Sequence, residues 1–482
     1  MTDRLLRGGT VIDGTGAARY AADVRIEGGT IAAVGAALDA RGTEVIDVAG
    51  KIVAPGFIDV HTHDDQIVLA APAMLPKISQ GVTTVVVGNC GVSLAPLTLS
   101  GPPPPPLDLI GDQSWYRFET FADYLAALDG EPPAVNAACL VGHSTLRVGT
   151  MDRLDRPATS GEIAAMKIRL QEALDAGAIG LSTGLGYEPA EAAPTDEIVE
   201  LAKLLKPAGA IHTTHMRDES DHVLESLEES FDIGRRADVP VVISHHKTAG
   251  QANFGRSVES LAKIGEAIGR QPIGLDAYPY SASSTILKPE WVSEARQVLI
   301  AWSKTAPEQA GRLLADIAAD WKTSEAEAAA RLQPAGAIYF SMDEGDVRRI
   351  LAFPHTMIGS DGLPHDSHPH PRLWGTFPRV LGHYSRDVGL FPIEEAVRKM
   401  TGLPARQFGL KERGLLRPGY FADLTIFDPA SVLDLATFER PMQPAAGIAG
   451  VFVNGNPVWR AGAATGNRPG RTLRLRQKGT PK

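Results

Sequence analysis

Hydrophobic and polar positions change rhythm twice along this chain. In residues 1–55, short apolar runs such as Asp23-Val24-Arg25-Ile26 and Thr30-Ile31-Ala32-Ala33-Val34 are separated by Glu27-Gly28-Gly29, and Asp13-Gly14-Thr15-Gly16 marks an earlier turn. No helical period stands out, which predicts short strands of a small β-sandwich. From Gly56 onward, strand-length apolar runs alternate with longer helical stretches. Eight runs read as strands: 57–60, 83–87, 136–141, 178–182, 210–214, 240–244, 272–277 and 356–360. Between several of them, 160–176, 197–205, 221–237 and 257–269 carry the period of an amphipathic helix. Nearly continuous apolar strands imply a parallel sheet covered on both faces. Eight such units in about 300 residues predict an α/β fold, a closed (β/α)8 TIM-type barrel over 56–414.

After about Leu415, strands and turns return. Arg417-Pro418-Gly419-Tyr420 reads as a turn before the run Leu424-Thr425-Ile426-Phe427, and Gly450-Val451-Phe452-Val453 runs into an Asn454-Gly455 hairpin turn. The two chain ends resemble each other more than the middle. Residues 1–55 and 415–482 are therefore expected to pair into one discontinuous β domain. The tail after Gly466, rich in Arg, Gly and Pro, is expected to pack loosely. Residues 288–337 read as helix-rich, over 291–302, 306–321 and 324–332. They predict a helical insertion near the barrel mouth, placed to act as a lid. The five consecutive prolines after Gly101 predict a stiff surface loop.

Polar residues gather where the predicted barrel strands end. In order they are His61 and His63, Asn89-Cys90, His143, Ser182-Thr183, His215, His245 with Lys247, Asp276 with Tyr278, and Asp361. All lie at C-terminal strand ends, the face on which barrel active sites form. No Gly-rich dinucleotide fingerprint follows a strand, which argues against an open doubly wound sheet.

Composition narrows the function classes. The chain has 482 residues, 44% hydrophobic and 22% charged, with 47 basic and 57 acidic residues and a net charge of −10. That balance argues against a nucleic-acid partner. Two cysteines, Cys90 and Cys139, cannot make a disulfide scaffold of this size. The first residues lack the apolar core of a signal peptide and no 18-residue apolar run suggests a membrane span. A cytoplasmic protein is expected, and the charge balance says nothing sharper about its substrate. The sequence carries no signal for its oligomeric state.

The strand-end residues sort by metal chemistry. Zinc takes imidazole, thiolate and carboxylate, usually four ligands. Candidates are His61, His63, Cys90, His215, His245 and Asp361, enough for one or two ions. An isolated H-x-H is more often a solvated strand end; the partners on other strands change that reading. On the sixth strand, alternation places His245 and Lys247 on one face and His246 on the other. His245 is therefore the expected ligand, Lys247 a cation facing substrate and His246 a packed residue. His215 lies nearer its strand end than His212 and takes the ligand role. Cys90, between turn residues in Gly88-Asn89-Cys90-Gly91, fits a thiolate ligand, whereas Cys139, mid-strand, fits a small buried hydrophobe. Asp361 in Ser360-Asp361-Gly362 is either a plain Asp-Gly turn or a base beside the metal. Zinc lowers the pKa of water to roughly 7, and an adjacent carboxylate can take that proton and return it to a leaving nitrogen.

These positions resemble the amidohydrolase superfamily. More narrowly, the chain is similar to the N-acyl-D-amino-acid deacylases, the D-aminoacylase family. The resemblance runs through Gly56-Phe57-Ile58-Asp59 into His61-Thr62-His63-Asp64-Asp65, then Val87-Gly88-Asn89-Cys90-Gly91 and Gly142-His143-Ser144-Thr145-Leu146-Arg147. It continues through Thr214-His215-Met216-Arg217, Ile243-Ser244-His245-His246-Lys247 and Asp276-Ala277-Tyr278-Pro279-Tyr280. The common binuclear pattern of the superfamily has a lysine at the end of the fourth strand. Here Leu181-Ser182-Thr183-Gly184 stands there, and the cysteine of the second strand can fill the bridging role.

The resemblance implies that Cys90, His215 and His245 hold a tightly bound Zn2+ and that His61, His63 and Asp361 form a second, looser site. It implies that Lys247, Tyr278 and Ser284 contact the scissile acyl group and that Arg372 receives the substrate carboxylate, for which a guanidinium fork is suited. The activity implied is hydrolysis of N-acyl-D-amino acids to a carboxylate and a free D-amino acid, with Asp361 as general base and acid. The D preference comes from the resemblance alone. A hydantoinase or dihydroorotase of the same superfamily predicts the missing strand-four lysine. A non-catalytic scaffold relative would have been free to lose ligands, yet all six candidates remain. The tract Pro364-His365-Asp366-Ser367-His368-Pro369-His370-Pro371 is expected to rim the pocket.

Overall fold

A computed structural model describes residues 3–40 and 42–475. Its centre is a nearly closed eight-stranded parallel barrel. The strands are Phe57–Asp59, Val82–Val87, Asn136–Gly142, Gly180–Gly184, Ile211–His215, Val241–Ile243, Ile273–Ala277 and Thr356–Ile358. Each is hydrogen-bonded to its neighbour in that order. All eight sequence-predicted strands are present. Their near-continuous apolar character has the expected cause: Val82–Val87 and Asn136–Gly142 are buried at every position.

Helices cover the barrel because their apolar stripes match its outer face. Ser160–Ala176 starts at a reciprocal capping box between Thr159 and Glu162 and stops at Gly177, whose φ of 115° suits glycine. Val223–Ala237 buries Val223, Leu227, Phe231 and Gly234 along one stripe, against Val241 and Ile243 of the sixth strand.

A second sheet takes strands from both chain ends. Ile52–Pro55 pairs in parallel with Arg4–Val11 on one side and antiparallel with Leu424–Phe427 on the other. The sheet continues outward through Tyr20–Glu27 and Thr30–Gly35, and through Ile448–Val453 and Asn456–Arg460. The tail departs from expectation. Thr472–Leu473 adds in parallel to the third barrel strand, pairing Ala137 with Thr472, and Leu475 N donates to Gly177 O. Main-chain pairing supplies this anchoring together with the side chains of Thr472 and Arg474, which both bond Asp129; residues 476–482 of the expected loose tail lie outside the described residues.

The insertion also differs. Helices form at Leu314–Asp320 and Glu325–Leu332, but 291–302 is not a helix. A 3-10 turn at Pro289–Glu294 leads into the strand Val298–Ser303, which joins Ser283–Ile286 and Ala335–Tyr339 in a three-stranded antiparallel sheet. Val298 and Ile300 pack in one apolar cluster, and Leu299 and Ala301 in another. With both faces buried, the period of two disappears into a continuous apolar run that reads equally as helix.

Candidate active site

Three barrel strands are followed, two or three residues after their ends, by a residue whose backbone is left-handed without being glycine. Cys90, His245 and Asp361 have φ of 53°, 36° and 50°. Such conformations are costly outside glycine and cluster where a side chain must be aimed. The sixth strand stops at Ile243, so strand alternation does not reach His245. His245 turns inward through its positive φ instead, and Lys247 comes back beside it, with Nζ 2.9 Å from His245 Nδ1. His246 points away and bonds Ser260 Oγ at 2.8 Å. The facing read from alternation is the one observed, and its geometric cause is a turn.

The six candidate ligands converge. His245 Nε2 lies 3.3 Å from Cys90 Sγ and 3.0 Å from His215 Nδ1. His61 Nε2 lies 3.2 Å from Cys90 Sγ and 3.5 Å from Asp361 Oδ1, and His63 Nε2 lies 3.1 Å from the same carboxylate oxygen. Three overlapping groups of donors result, His61 with Cys90 and His245, His61 with His63 and Asp361, and His215 with Glu219 and His245, each within 4.8 Å of one another. Cys90 joins the first group to the barrel's far side.

This donor set suits a soft or borderline divalent metal such as zinc: imidazoles, one thiolate and one carboxylate at the mouth of a barrel. Burial alone would raise the Cys90 thiol, but the charges of His61 and His245 and hydrogen bonds from His215 and His245 hold it well below its ordinary range. Burial likewise would raise Asp361, and Arg372, His61 and His245 hold it well below the usual carboxylate range. Both shifts favour the deprotonated form, the one that binds a metal. Cys139, by contrast, is pushed up by burial and stays a thiol.

The fourth strand explains the missing lysine. A Cβ on Gly184 would lie 2.2 Å from Cys90 O. The cysteine loop sits where a side chain would otherwise emerge. Ser182 at the same strand end fixes this loop, accepting from Gly91 N at 3.0 Å and donating to Gly88 O.

The expected substrate contacts surround the donors. A cleft of ≈ 460 Å³ is lined by His63, Cys90, His215, His245 and Asp361 together with Lys247, Tyr278 and Ser284. Tyr278 Oη and Ser284 Oγ are buried with no hydrogen-bond partner among the described residues, which leaves both available to a ligand. Arg372 is fully buried; its guanidinium stands over the Tyr278 ring at 4.4 Å and donates to Ser284 O at 3.1 Å. Nη1 approaches Asp361 Oδ2 at 2.9 Å without hydrogen-bond alignment.

Two carboxylates have roles that sequence reasoning did not assign. Glu219 Oε1 lies 2.9 Å from His245 Nδ1 and its Oε2 accepts from Lys247 at 2.6 Å. Its spacing of four residues from His215 was the available signal, but it falls on a loop where no period applies. Asp276 Oδ1 accepts from His245 N at 2.9 Å and stands 3.4 Å from His61 Nδ1. Carboxylates behind ligand histidines fix their orientation and raise their basicity. Two further barrel histidines go elsewhere. His143 bonds Glu197 at 3.0 Å, and His212 bonds Thr183 at 3.0 Å. In the loop before Arg372, His368 and His370 face the carbonyls of Phe438 and Ala282.

Comparison with known proteins identifies the family and the fold. The model of the amidohydrolase family matches residues 44–253 and 294–459. D-aminoacylase of Alcaligenes xylosoxydans xylosoxydans is 59% identical over 98% of this chain and 97% of its own. Among solved structures, a D-aminoacylase studied for its binuclear metal center superposes with a TM-score of 0.95 at 58% identity, covering 98% of this chain and 100% of that one. The N-acyl-D-glutamate deacylase of Bordetella bronchiseptica, complexed with zinc and a phosphonate mimic of the tetrahedral intermediate, gives 0.94 at 47% identity, over 98% and 99% of the two chains. This chain belongs to the N-acyl-D-amino-acid deacylase (D-aminoacylase) family of amidohydrolases.

Proposed function

We propose that this protein hydrolyses the amide bond of N-acyl-D-amino acids, releasing a carboxylic acid and a free D-amino acid. The observation that carries the reading is the meeting of Cys90 and His215 at His245 Nε2, with Asp361 reaching His63 and His61 beside them. Cys90, His215 and His245 would hold a tightly bound Zn2+, and His61, His63 and Asp361 a second, weaker one. When bound, zinc supplies Lewis acidity that polarises the acyl carbonyl and eases deprotonation of water.

The chain's own residues supply the rest. Asp361 takes the proton of the attacking water and delivers it to the departing amine nitrogen. Tyr278 Oη and Lys247 Nζ donate to the oxygen on which charge builds as the carbonyl becomes tetrahedral. Ser284 Oγ orients the acyl group. Arg372 receives the α-carboxylate of the substrate, and Glu219 keeps Lys247 charged and in place. Burial lowers Lys247 basicity, but Glu219 and Tyr278 outweigh this and raise it, so it remains a cation. The three-stranded insertion brings Lys288, Trp291 and Tyr339 to the cleft wall, a position from which it can act as a lid.

The test is an assay of the zinc-supplemented protein on N-acetyl-D-methionine and its L enantiomer. Hydrolysis of the D compound alone is expected. Equal turnover of both, or turnover of cyclic amides with none of N-acetyl-D-methionine, overturns the reading.

A further inference from the structure

The barrel closes without a ladder between its first and last strands. Seven neighbouring strand pairs run from Phe57–Asp59 around to Thr356–Ile358, but across the remaining seam the backbone of the described residues makes one isolated parallel bridge, Thr62 to Gly362, and one further hydrogen bond, from Asp361 N to His61 O at 2.8 Å. Side chains complete the seam. Lys77, from the short helix Leu75–Ile78, is fully buried. Its Nζ donates to Asp59 Oδ2 of the first strand at 2.8 Å and to Ser360 Oγ beyond the eighth at 2.9 Å, and lies 3.2 Å from Asp64 Oδ2. Asp59 Oδ1 in turn accepts from Ser360 N at 2.8 Å and from His61 N at 3.4 Å. One carboxylate therefore grips the backbone on both sides, at a ligand histidine and one residue before Asp361.

Lys77 is the cation that permits this arrangement. Asp59 and Asp64 are both fully buried, and two carboxylates in a dry compartment need a compensating charge. The pair that the seam separates is His63 and Asp361, whose atoms meet at 3.1 Å. His215 stands on the fifth strand, and Cys90 and His245 follow the ends of the second and sixth; all three of these strands lie inside the laddered part of the sheet.

We infer that Lys77 is a positioning residue. By clamping Asp59 and Ser360 across the open seam, it sets the separation of His61 and His63 from Asp361, and so tunes the looser metal site independently of the tight one. The inference rests on the metal reading above.

The experiment measures zinc affinity at both sites by chelator competition, on the full chain, in wild type, Lys77→Met and Ser360→Ala. Ser360→Ala removes one donor contact and leaves the Lys77–Asp59 pair, so it serves if Lys77→Met fails to fold. A Lys77→Met/Asp59→Asn double variant relieves the uncompensated charge. The weaker site is expected to lose about tenfold or more in affinity, with the tighter site within about twofold of wild type. The double variant is expected to regain thermal stability without regaining the weaker site. Equal losses at both sites, or a lowered melting temperature with both affinities unchanged, overturn the inference and leave the metal reading intact. A wild-type chain that binds no zinc overturns both.

Discussion

Asp361 divides its carboxylate between two neighbours: Oδ2 faces Arg372 Nη1 at 2.9 Å, and Oδ1 faces His63 Nε2 at 3.1 Å. Arg372 therefore touches both the expected carboxylate-binding position and the expected base. Arg372→Ala should raise KM for N-acyl amino acids by about tenfold or more, the loss of a charge-assisted fork. It should also lower kcat, because Asp361 loses its guanidinium neighbour. Steady-state kinetics check this, and an unchanged KM and kcat/KM would remove Arg372 from the site.

Asp361→Ala should reduce kcat by about a hundredfold to ten-thousandfold, the range for a positioned general acid or base. The group proposed to hold zinc more tightly, Cys90 with His215 and His245, does not include it. Metal analysis of the purified variant should therefore still find zinc. Near-normal turnover would eliminate Asp361 as the base.

The two cysteines should differ in reactivity. Imidazoles around Cys90 favour its thiolate, whereas burial favours the Cys139 thiol. Metal-free protein treated with iodoacetamide should carry the label on Cys90, which lines the cleft, and zinc should block it. Peptide mass spectrometry reads the outcome. Label on Cys139 alone would contradict the thiolate assignment.

Acid stability should depend on Glu197. Burial would raise its carboxyl, but His143 and Arg147 bring it from its ordinary 4.5 down to about 2. A depressed folded-state value stabilises the native state above pH 4.5, and that contribution fades as pH falls toward 2. Its size is about 2 kcal/mol, reduced from the full shift for screening. Glu197→Gln should be less stable at neutral pH, since Arg147 then lacks its buried partner. It should lose less stability between pH 4.5 and 2, as urea denaturation at several pH values can show.

Much of this architecture is legible in the sequence because a barrel writes itself locally. Eight apolar runs alternate with helical periods, and His61, His63, Cys90, His215, His245 and Asp361 each follow one of those runs. What sequence missed is non-local or aperiodic. Val298–Ser303 reads as helix because both of its faces are buried. Glu219 lies on a loop, and its approach to His245 and Lys247 depends on how that loop folds back. His245 was placed correctly from alternation although its strand had already ended, since a left-handed turn gives the same facing. The docking of Thr472–Leu473 on the third strand depends on main-chain pairing and on contacts with the distant Asp129, which composition does not encode.

The central claim is that these donors hold the metal on which deacylation of a D-amino acid depends. The most direct measurement is the initial rate on N-acetyl-D-methionine as zinc is titrated into metal-free protein, with bound zinc per chain followed in parallel. The account predicts no hydrolysis without metal, a rise as the first equivalent binds, and no comparable rate on the L enantiomer. Full activity in the metal-free protein, or zinc binding with no hydrolysis of the D substrate, would contradict it.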